Sequence, residues 1–450
     1  MIIDYGFSVV GKSHIKKDSC CQDYHCIKRM KNGWIIAAVA DGVGSAKNSH
    51  IGSKIAAETV VEFCDECMPW DYSVISIKSM LRTAYNYAFK MILKESEKSG
   101  EPIESFDTTL SMVIYDGQRI IYGHSGDGAI FGLTIFGDFI EITRPQKSVD
   151  GVSVIPLRGG YTQWVIDTYE EDLVAVLLMT DGMLETLCHY LLRDQERKIN
   201  RVYVPLASYF ADPYGFNERK IEDIKKEIFD FIVADKDYET SRFYTRLLDV
   251  YKWHIPKAAE SVIETLKKAN YPVSLMQAEQ DDKTIVGLIN TELPFDNKEE
   301  SFYSEPDWNL LQEAWYRKAY PHLYSDRQKE NDNETTEQNV DNTSNMSATY
   351  TTEEQNESST DATTSEEPPK KTDSKTTTDS KEVPQNAELE VPKKADATTE
   401  CVATSTPHTI PTTNIQQPNS NTQDISLPIR ATHEKPRKKS LIGKIGDLFD

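Results

Sequence analysis

Cysteine is scarce. Seven in 450 residues are too few and too scattered for a disulfide scaffold. The Cys20–Cys21 pair and the lone Cys188 and Cys401 have no zinc-like spacing. Cys64 and Cys67 do form C-x-x-C, but no second pair or His pair follows, and their segment reads as an amphipathic helix. Long apolar runs are missing too: none approaches the ~20 residues of a membrane span. The opening MIIDYGFSVVGKSH has no charged lead-in followed by a long apolar stretch, so no signal peptide is expected. A reducing, cytoplasmic compartment is the expectation. Positive charge is in deficit, with 50 Lys and Arg against 72 Asp and Glu and a net charge of -22. Phosphate backbones need clustered Lys and Arg, so nucleic acid is excluded as a ligand of the whole chain.

Two compositions meet near Tyr324. Residues 1–324 alternate strand-like and helix-like segments with ordinary apolar content. From 325 to 435 the chain is Thr, Ser, Asn, Glu, Asp, Lys and Pro, which cannot bury enough apolar area to offset chain entropy. A disordered linker is expected there. In the last stretch, 436–450, Leu441, Ile442, Ile445, Leu448 and Phe449 fall on one helical face, which predicts a short amphipathic helix suited to docking on a partner.

Within the first part, strands are predicted at Tyr5–Val10, Trp34–Ala40, Thr109–Tyr115, Arg119–His124, Ala129–Ile135, Leu173–Met179 and Thr284–Ile289. Helices are predicted at Ile51–Cys67 and Ser76–Glu97, with a longer helical block over parts of 184–270. Strand and helix do not alternate strictly, and IYDGQRII places an Asp-Gly turn between two apolar runs. The pattern is an antiparallel sheet core covered by helices, an α+β class, and not a doubly wound parallel sheet.

Several acids share one grammar. Asp41 ends the run IIAAVA and precedes Gly42; Asp127 sits in GHSGDG between two strands; Asp181 ends VAVLLMT and precedes Gly182. Asp281 and Asp282 precede KTIVGLI, and Asp23 stands just before another strand-like segment. A strand fixes where its terminal residue points, and a following Gly lets backbone approach a ligand closely. Converging carboxylates repel one another unless cations or protons neutralise them. Oxygen donors without a His or Cys cluster favour Mg²⁺ or Mn²⁺ over zinc.

In this order, CQD, VADGVGSA, FDTTL, GHSGDG, LMTDGMLE and QDDKTIV resemble the motifs of the metal-dependent protein phosphatases of the protein phosphatase 2C family. The opening GKSH is similar to its bacterial branch. The resemblance runs from about Tyr5 to Asn290. It implies a four-layer α-β-β-α sandwich of two antiparallel sheets flanked by helices, with a two-metal site at one edge. By motif, Asp41 would bridge both ions and Gly42 would offer its carbonyl to one. Asp181 and Asp281 would complete the other, and Asp127 with Asp181 would help hold a third, weaker ion. Asp23 would orient metal-bound water, while Thr108 and Thr109 pack beside the site.

The sequence also departs from the family pattern. Gln22 stands where eukaryotic members carry Glu, and Asp18 stands near the usual phosphate-binding Arg. Lys12, His14, Lys16 and Lys17 are the candidates to replace that Arg. His14 is also a candidate general acid, with His124 as the rival reading and a core histidine as the plain one. The long stretch between Asp181 and Asp281 forms either a lid or docking surface, or only a thicker helical layer. The expected function is a Mn²⁺- or Mg²⁺-dependent phosphoserine/phosphothreonine phosphatase acting on phosphorylated proteins and opposing a Ser/Thr kinase. The alternative is a pseudophosphatase, the same fold used as a binding module.

Overall fold

The computed structural model describes residues 1–148, 153–216, 219–234 and 238–323. The expected linker at 325–435 and helix at 436–450 lie outside the described residues.

Among the described residues, ten strands form two five-stranded sheets. One runs in the order β1 (Ile2–Val9), β10 (Lys283–Asn290), β9 (Leu173–Met179), β6 (Ala129–Thr134), β7 (Phe139–Glu141). The other runs β2 (Tyr24–Arg29), β3 (Ile35–Ala40), β4 (Leu110–Tyr115), β5 (Ile120–Ser125), β8 (Val165–Tyr169). Every neighbouring pair is antiparallel.

The sequence period explains the layering. In β3, Ile35, Ala37 and Val39 enter a core shared with Val176, Leu178, Val286 and Leu288 of the facing sheet. Alternate residues Ile36, Ala38 and Ala40 meet the helices on the other side. Side chains alternate across a strand, so a strand covered on both faces reads as an unbroken apolar run. The second sheet is covered by α2 (Ser49–Cys67) and α3 (Val74–Ser99). Ser73 caps α3 by accepting the Ser76 N–H, and Gly100 closes it at φ 72°. Cys64 lies fully buried in this packing, where burial pushes its thiol up, so the Cys64–Cys67 pair belongs to helix packing.

The first sheet is covered by α4 (Asp181–Leu187), α5 (Val204–Ala211), α6 (Ile221–Val233), α7 (Thr240–His254), α8 (Ala259–Ala269) and α9 (Tyr271–Ala278). Their Leu206, Phe210, Ile228, Phe231, Phe243 and Leu247 build one apolar cluster with Tyr5, Phe131, Leu177 and Ile285 of the sheet. The α-β-β-α sandwich is thus observed. The helical block extends to Ala278, beyond its expected limit, and two short helices follow, α10 (Glu300–Tyr303) and α11 (Trp308–Ala319). A helix at Lys12–Lys16, α1, was not foreseen. No described helix is long and apolar enough to cross a membrane.

One close approach holds the first sheet to its helices. Tyr5 lies opposite Gly287 in the β1–β10 register and donates its hydroxyl to the Phe210 carbonyl at 2.7 Å. A Cβ at Gly287 would sit 2.3 Å from the Tyr5 ring. Gly287→Ala therefore has to displace a fully buried ring and strand its hydroxyl. Urea denaturation is expected to show a loss of about 3 kcal/mol.

Candidate metal centre

Asp41 follows the last residue of β3, and its backbone is pinned on both sides. Its N–H donates to Thr109 Oγ1 at 2.9 Å. Its carbonyl accepts from the Thr109 N–H and from Thr108 Oγ1, both at 2.8 Å. The two threonines expected beside the site therefore fix the direction in which Asp41 leaves the sheet. Gly42 donates its N–H to the Gln22 carbonyl at 3.2 Å. A Cβ there would lie 2.7 Å from that oxygen, so glycine is required for the approach.

Asp127 sits in the connection from β5 in one sheet to β6 in the other, between Gly126 at φ 119° and Gly128. Asp181 is the first residue of α4, directly after β9 and Thr180. Each of Asp41, Asp127 and Asp181 offers a carboxylate oxygen, and the three oxygens lie within 4.8 Å of one another. Three distant segments from both sheets thus converge at one end of the sandwich.

Asp23 lies beneath this group, 6% exposed, and accepts from Thr180 Oγ1 at 2.7 Å. Burial pushes its carboxyl up to about 8, against the hydrogen bonds from Thr180 and Thr284; the charges of Asp282 and Asp181 add to the rise. Burial likewise holds Asp41 well above the usual carboxylate range, helped by Asp23, Asp181 and Asp127. Asp127 is raised to about 6 by burial and by Asp181. Among the described residues, no Lys, Arg or His forms an ion pair with Asp23, Asp41, Asp127, Asp181 or Asp281. An all-oxygen donor set with crowded charge fits a hard divalent cation.

Asp281 is an exposed neighbour of this trio. It lies beside Gly182, and partial desolvation and the Asp181 charge raise its carboxyl. Its Oδ1 accepts the Asp282 N–H at 2.9 Å.

Asp282 does something the sequence reading missed. It is 3% exposed and gathers the N-terminal stretch. Oδ1 accepts the Gly11 N–H at 2.6 Å and lies 2.8 Å from His14 Nδ1; Oδ2 accepts the Gln22 N–H at 2.6 Å. The β1–β10 register ends at Val9↔Lys283, so the chain after Val9 must run against the chain before Lys283. A Cβ on Gly11 would lie 2.2 Å from the Asp281 backbone, which explains the glycine that opens GKSH.

His14 therefore stands on α1 with Nδ1 2.8 Å from a buried carboxylate but without a hydrogen bond to it. Lys12 Nζ donates to the Gln277 carbonyl, and Lys16 Nζ lies 3.5 Å from Gln280 Oε1 in an exposed position. Both lysines are thus turned toward the α9–β10 connection. His124 is 1% exposed, with Nδ1 2.8 Å from Ser111 Oγ and Nε2 3.1 Å from the Arg144 carbonyl. It is a satisfied core histidine.

Burial lowers the His124 imidazole to about 4. A depressed histidine contributes stability that is present above its unfolded value near 6.5 and is lost as pH falls toward 4. Between pH 7 and 4.5 the wild type should lose roughly 2–3 kcal/mol more than His124→Gln in urea titrations.

Residues 10–221 match the family described as protein phosphatase 2C. No curated relative matches the sequence. Among solved structures, a bacterial serine phosphatase is similar at 11% identity and a TM-score of 0.40, over 66% of this chain and 100% of that one. The serine/threonine phosphatase Stp1 from Staphylococcus aureus is similar at 13% identity and a TM-score of 0.38, over 64% and 95%. The catalytic domain of the serine/threonine protein phosphatase PstP, in complex with two manganese ions, is similar at 13% identity and a TM-score of 0.37, over 64% and 97%.

Proposed function

We propose that the chain, which matches the protein phosphatase 2C family over residues 10–221, is a protein serine/threonine phosphatase that hydrolyses phosphoserine and phosphothreonine side chains with Mn²⁺ or Mg²⁺ and a water nucleophile. The observation that carries this reading is the approach of Asp41, Asp127 and Asp181 within 4.8 Å, from three segments.

Divalent cations held there would supply Lewis acidity, lowering the pKa of a water and neutralising the phosphoryl oxygens. The chain's own residues do the rest. Asp41, Asp127 and Asp181 hold the cations, with Asp281 and the Gly42 carbonyl completing the set. Asp23, fixed by Thr180, orients the attacking water from beneath. His14, whose Nδ1 lies 2.8 Å from Asp282, presents Nε2 to protonate the leaving serine or threonine oxygen. Lys12 braces α1 against α9, and Lys16, exposed beside Gln280, is the lysine that turns from there to meet the substrate phosphate. No side chain becomes phosphorylated in this scheme. The reaction implies a Ser/Thr kinase as the opposing partner and phosphorylated proteins as substrates.

A second reading, a binding module of the same fold, draws on Gln22 and on lysines that point toward α9 rather than into the carboxylate group. Phosphothreonine-peptide hydrolysis by the full chain separates the two. The phosphatase reading expects phosphate release with Mn²⁺, none in EDTA, and one ¹⁸O from labelled water in the product. No release under any metal condition would leave the binding module.

A further inference from the structure

The junction of α2 and α3 turns its apolar side chains outward. The stretch MPWDYSVI brings Trp70, Tyr72, Val74 and Ile75 together, and all four are exposed, Trp70 by 91% and Ile75 by 83%. The turn is held in that arrangement. Asp71 accepts from the Ser73 and Ser76 hydroxyls at 3.0 and 2.9 Å, and Tyr72 meets the Trp34 ring edge-on at 5.2 Å between centroids. Trp34 packs in turn against the core under α2 and α3. A single exposed apolar residue is ordinary, but a contiguous group of four marks an interaction surface.

The surroundings of this patch are acidic. Glu62 and Glu66 are exposed on the last two turns of α2, and Asp71 stands between Trp70 and Tyr72. Asp65 is paired with Lys28 at 3.4 Å, and Lys31 stands in the turn before Trp34, so four acids face two lysines. Other exposed aromatics stand beside bases: Tyr316 of α11 precedes Arg317 and Lys318, and Trp253 of α7 follows Lys252.

The chain carries a segment of matching chemistry. Residues 436–450 lie outside the described residues, and their sequence puts Leu441, Ile442, Ile445, Leu448 and Phe449 on one helical face. Arg437, Lys438 and Lys439 precede that face, in a chain of net charge -22. Between the described domain and this segment lie about 110 residues, and a polar chain of that length spans about 60 Å on average. A folded domain of this size is roughly 50 Å across, so the tether reaches either end of it. It also holds the segment at an effective concentration on the order of 1 mM, enough to populate a contact of modest strength.

We propose that residues 436–450 dock on this patch of their own chain, the apolar face over Trp70, Tyr72 and Ile75 and the basic lead-in along Glu62 and Glu66. The N-terminal end of α2 adjoins Gly42, whose Cβ would lie 2.8 Å from Ser49. At 1.5 Å per residue the patch stands about 28 Å from that end, so the docked segment leaves the carboxylate centre open. Docking anchors both ends of the Ser/Thr-rich stretch on the domain.

Hydrogen exchange of the full chain tests this, with wild type, Leu441→Asp with Ile445→Asp, and Trp70→Ser with Ile75→Ser. Amides of 441–449 are expected to exchange at least about threefold faster in the Trp70/Ile75 variant than in wild type, and amides of 68–76 at least about threefold faster in the Leu441/Ile445 variant. Salt at about 0.5 M should reduce both protections, and dilution of about tenfold should change neither. Trp70 and Ile75 are exposed, so their variant is expected to melt with the wild type. Absence of protection at 441–449 in the wild type overturns the proposal and leaves the segment to another protein or a membrane. Protection indifferent to Trp70→Ser with Ile75→Ser also overturns it, and so does protection lost on dilution, which marks a second copy as the occupant.

Discussion

Asp41→Asn is expected to lower kcat for phosphopeptide hydrolysis by about a thousandfold or more while leaving the chain folded. The reason is positional. The backbone of Asp41 is fixed by Thr108 and Thr109, so the amide will occupy the place of the carboxylate with one charge fewer. Its hydrogen bonds to the sheet do not involve the side chain, and the strand should be undisturbed. Stability should move the other way. In the absence of metal, Asp41 is crowded by Asp23, Asp181 and Asp127, and its folded-state pKa is raised. A carboxyl raised on folding contributes stability below its unfolded value near 4 and loses it as pH rises. For Asp127 the loss falls between about 4 and about 6, and for Asp23 between about 4 and about 8. In EDTA at pH 8, Asp41→Asn should therefore melt above the wild type, and the gap should shrink toward pH 4. A variant that lost activity because it had lost its fold would melt below the wild type.

Asp282→Ala is expected to be the most damaging substitution outside the carboxylate trio. Two backbone N–H groups, of Gly11 and Gln22, lose a charged acceptor at 2.6 Å each, and His14 loses the carboxylate 2.8 Å from its Nδ1. Hydrogen bonds to charged groups contribute about 1.5–3 kcal/mol each, so urea titration should show a loss of about 4 kcal/mol. Activity should fall as well, by about a hundredfold, because the stretch that loosens carries both His14 and Asp23. Asp282→Asn retains one acceptor oxygen but turns an NH₂ toward the other N–H, and should fall between wild type and Ala on both scales. Loss of stability with kcat unchanged would show that the N-terminal stretch plays no part in the reaction.

The two substitutions differ in how visible their sites are in the sequence. Asp41, Asp127 and Asp181 each stand at a strand end beside a glycine, and that local pattern is enough to find them. The strands that deliver them, β3, β6 and β9, are buried on both faces, so their runs are continuous and easy to read. By contrast, β7 and β8 are edge strands with half-exposed residues, and they lack the apolar run that marks a central strand. The same holds for α1, which buries nothing. Asp282 was seen only as the neighbour of Asp281. Its task depends on the pairing of β1 with β10, whose partners lie 271 positions apart at Gly11, and nothing local announces it.

The central claim is that Asp41, Asp127 and Asp181 form a divalent-cation site. Calorimetric titration of the full chain with Mn²⁺ tests it directly, with wild type, Asp41→Asn and Asp181→Asn side by side. The account predicts saturable Mn²⁺ binding by the wild type, with proton release at pH 6 from the raised carboxyls, and a loss of affinity of at least about a hundredfold in either variant. Equal Mn²⁺ affinity and stoichiometry in all three proteins, or no binding by the wild type, would contradict it.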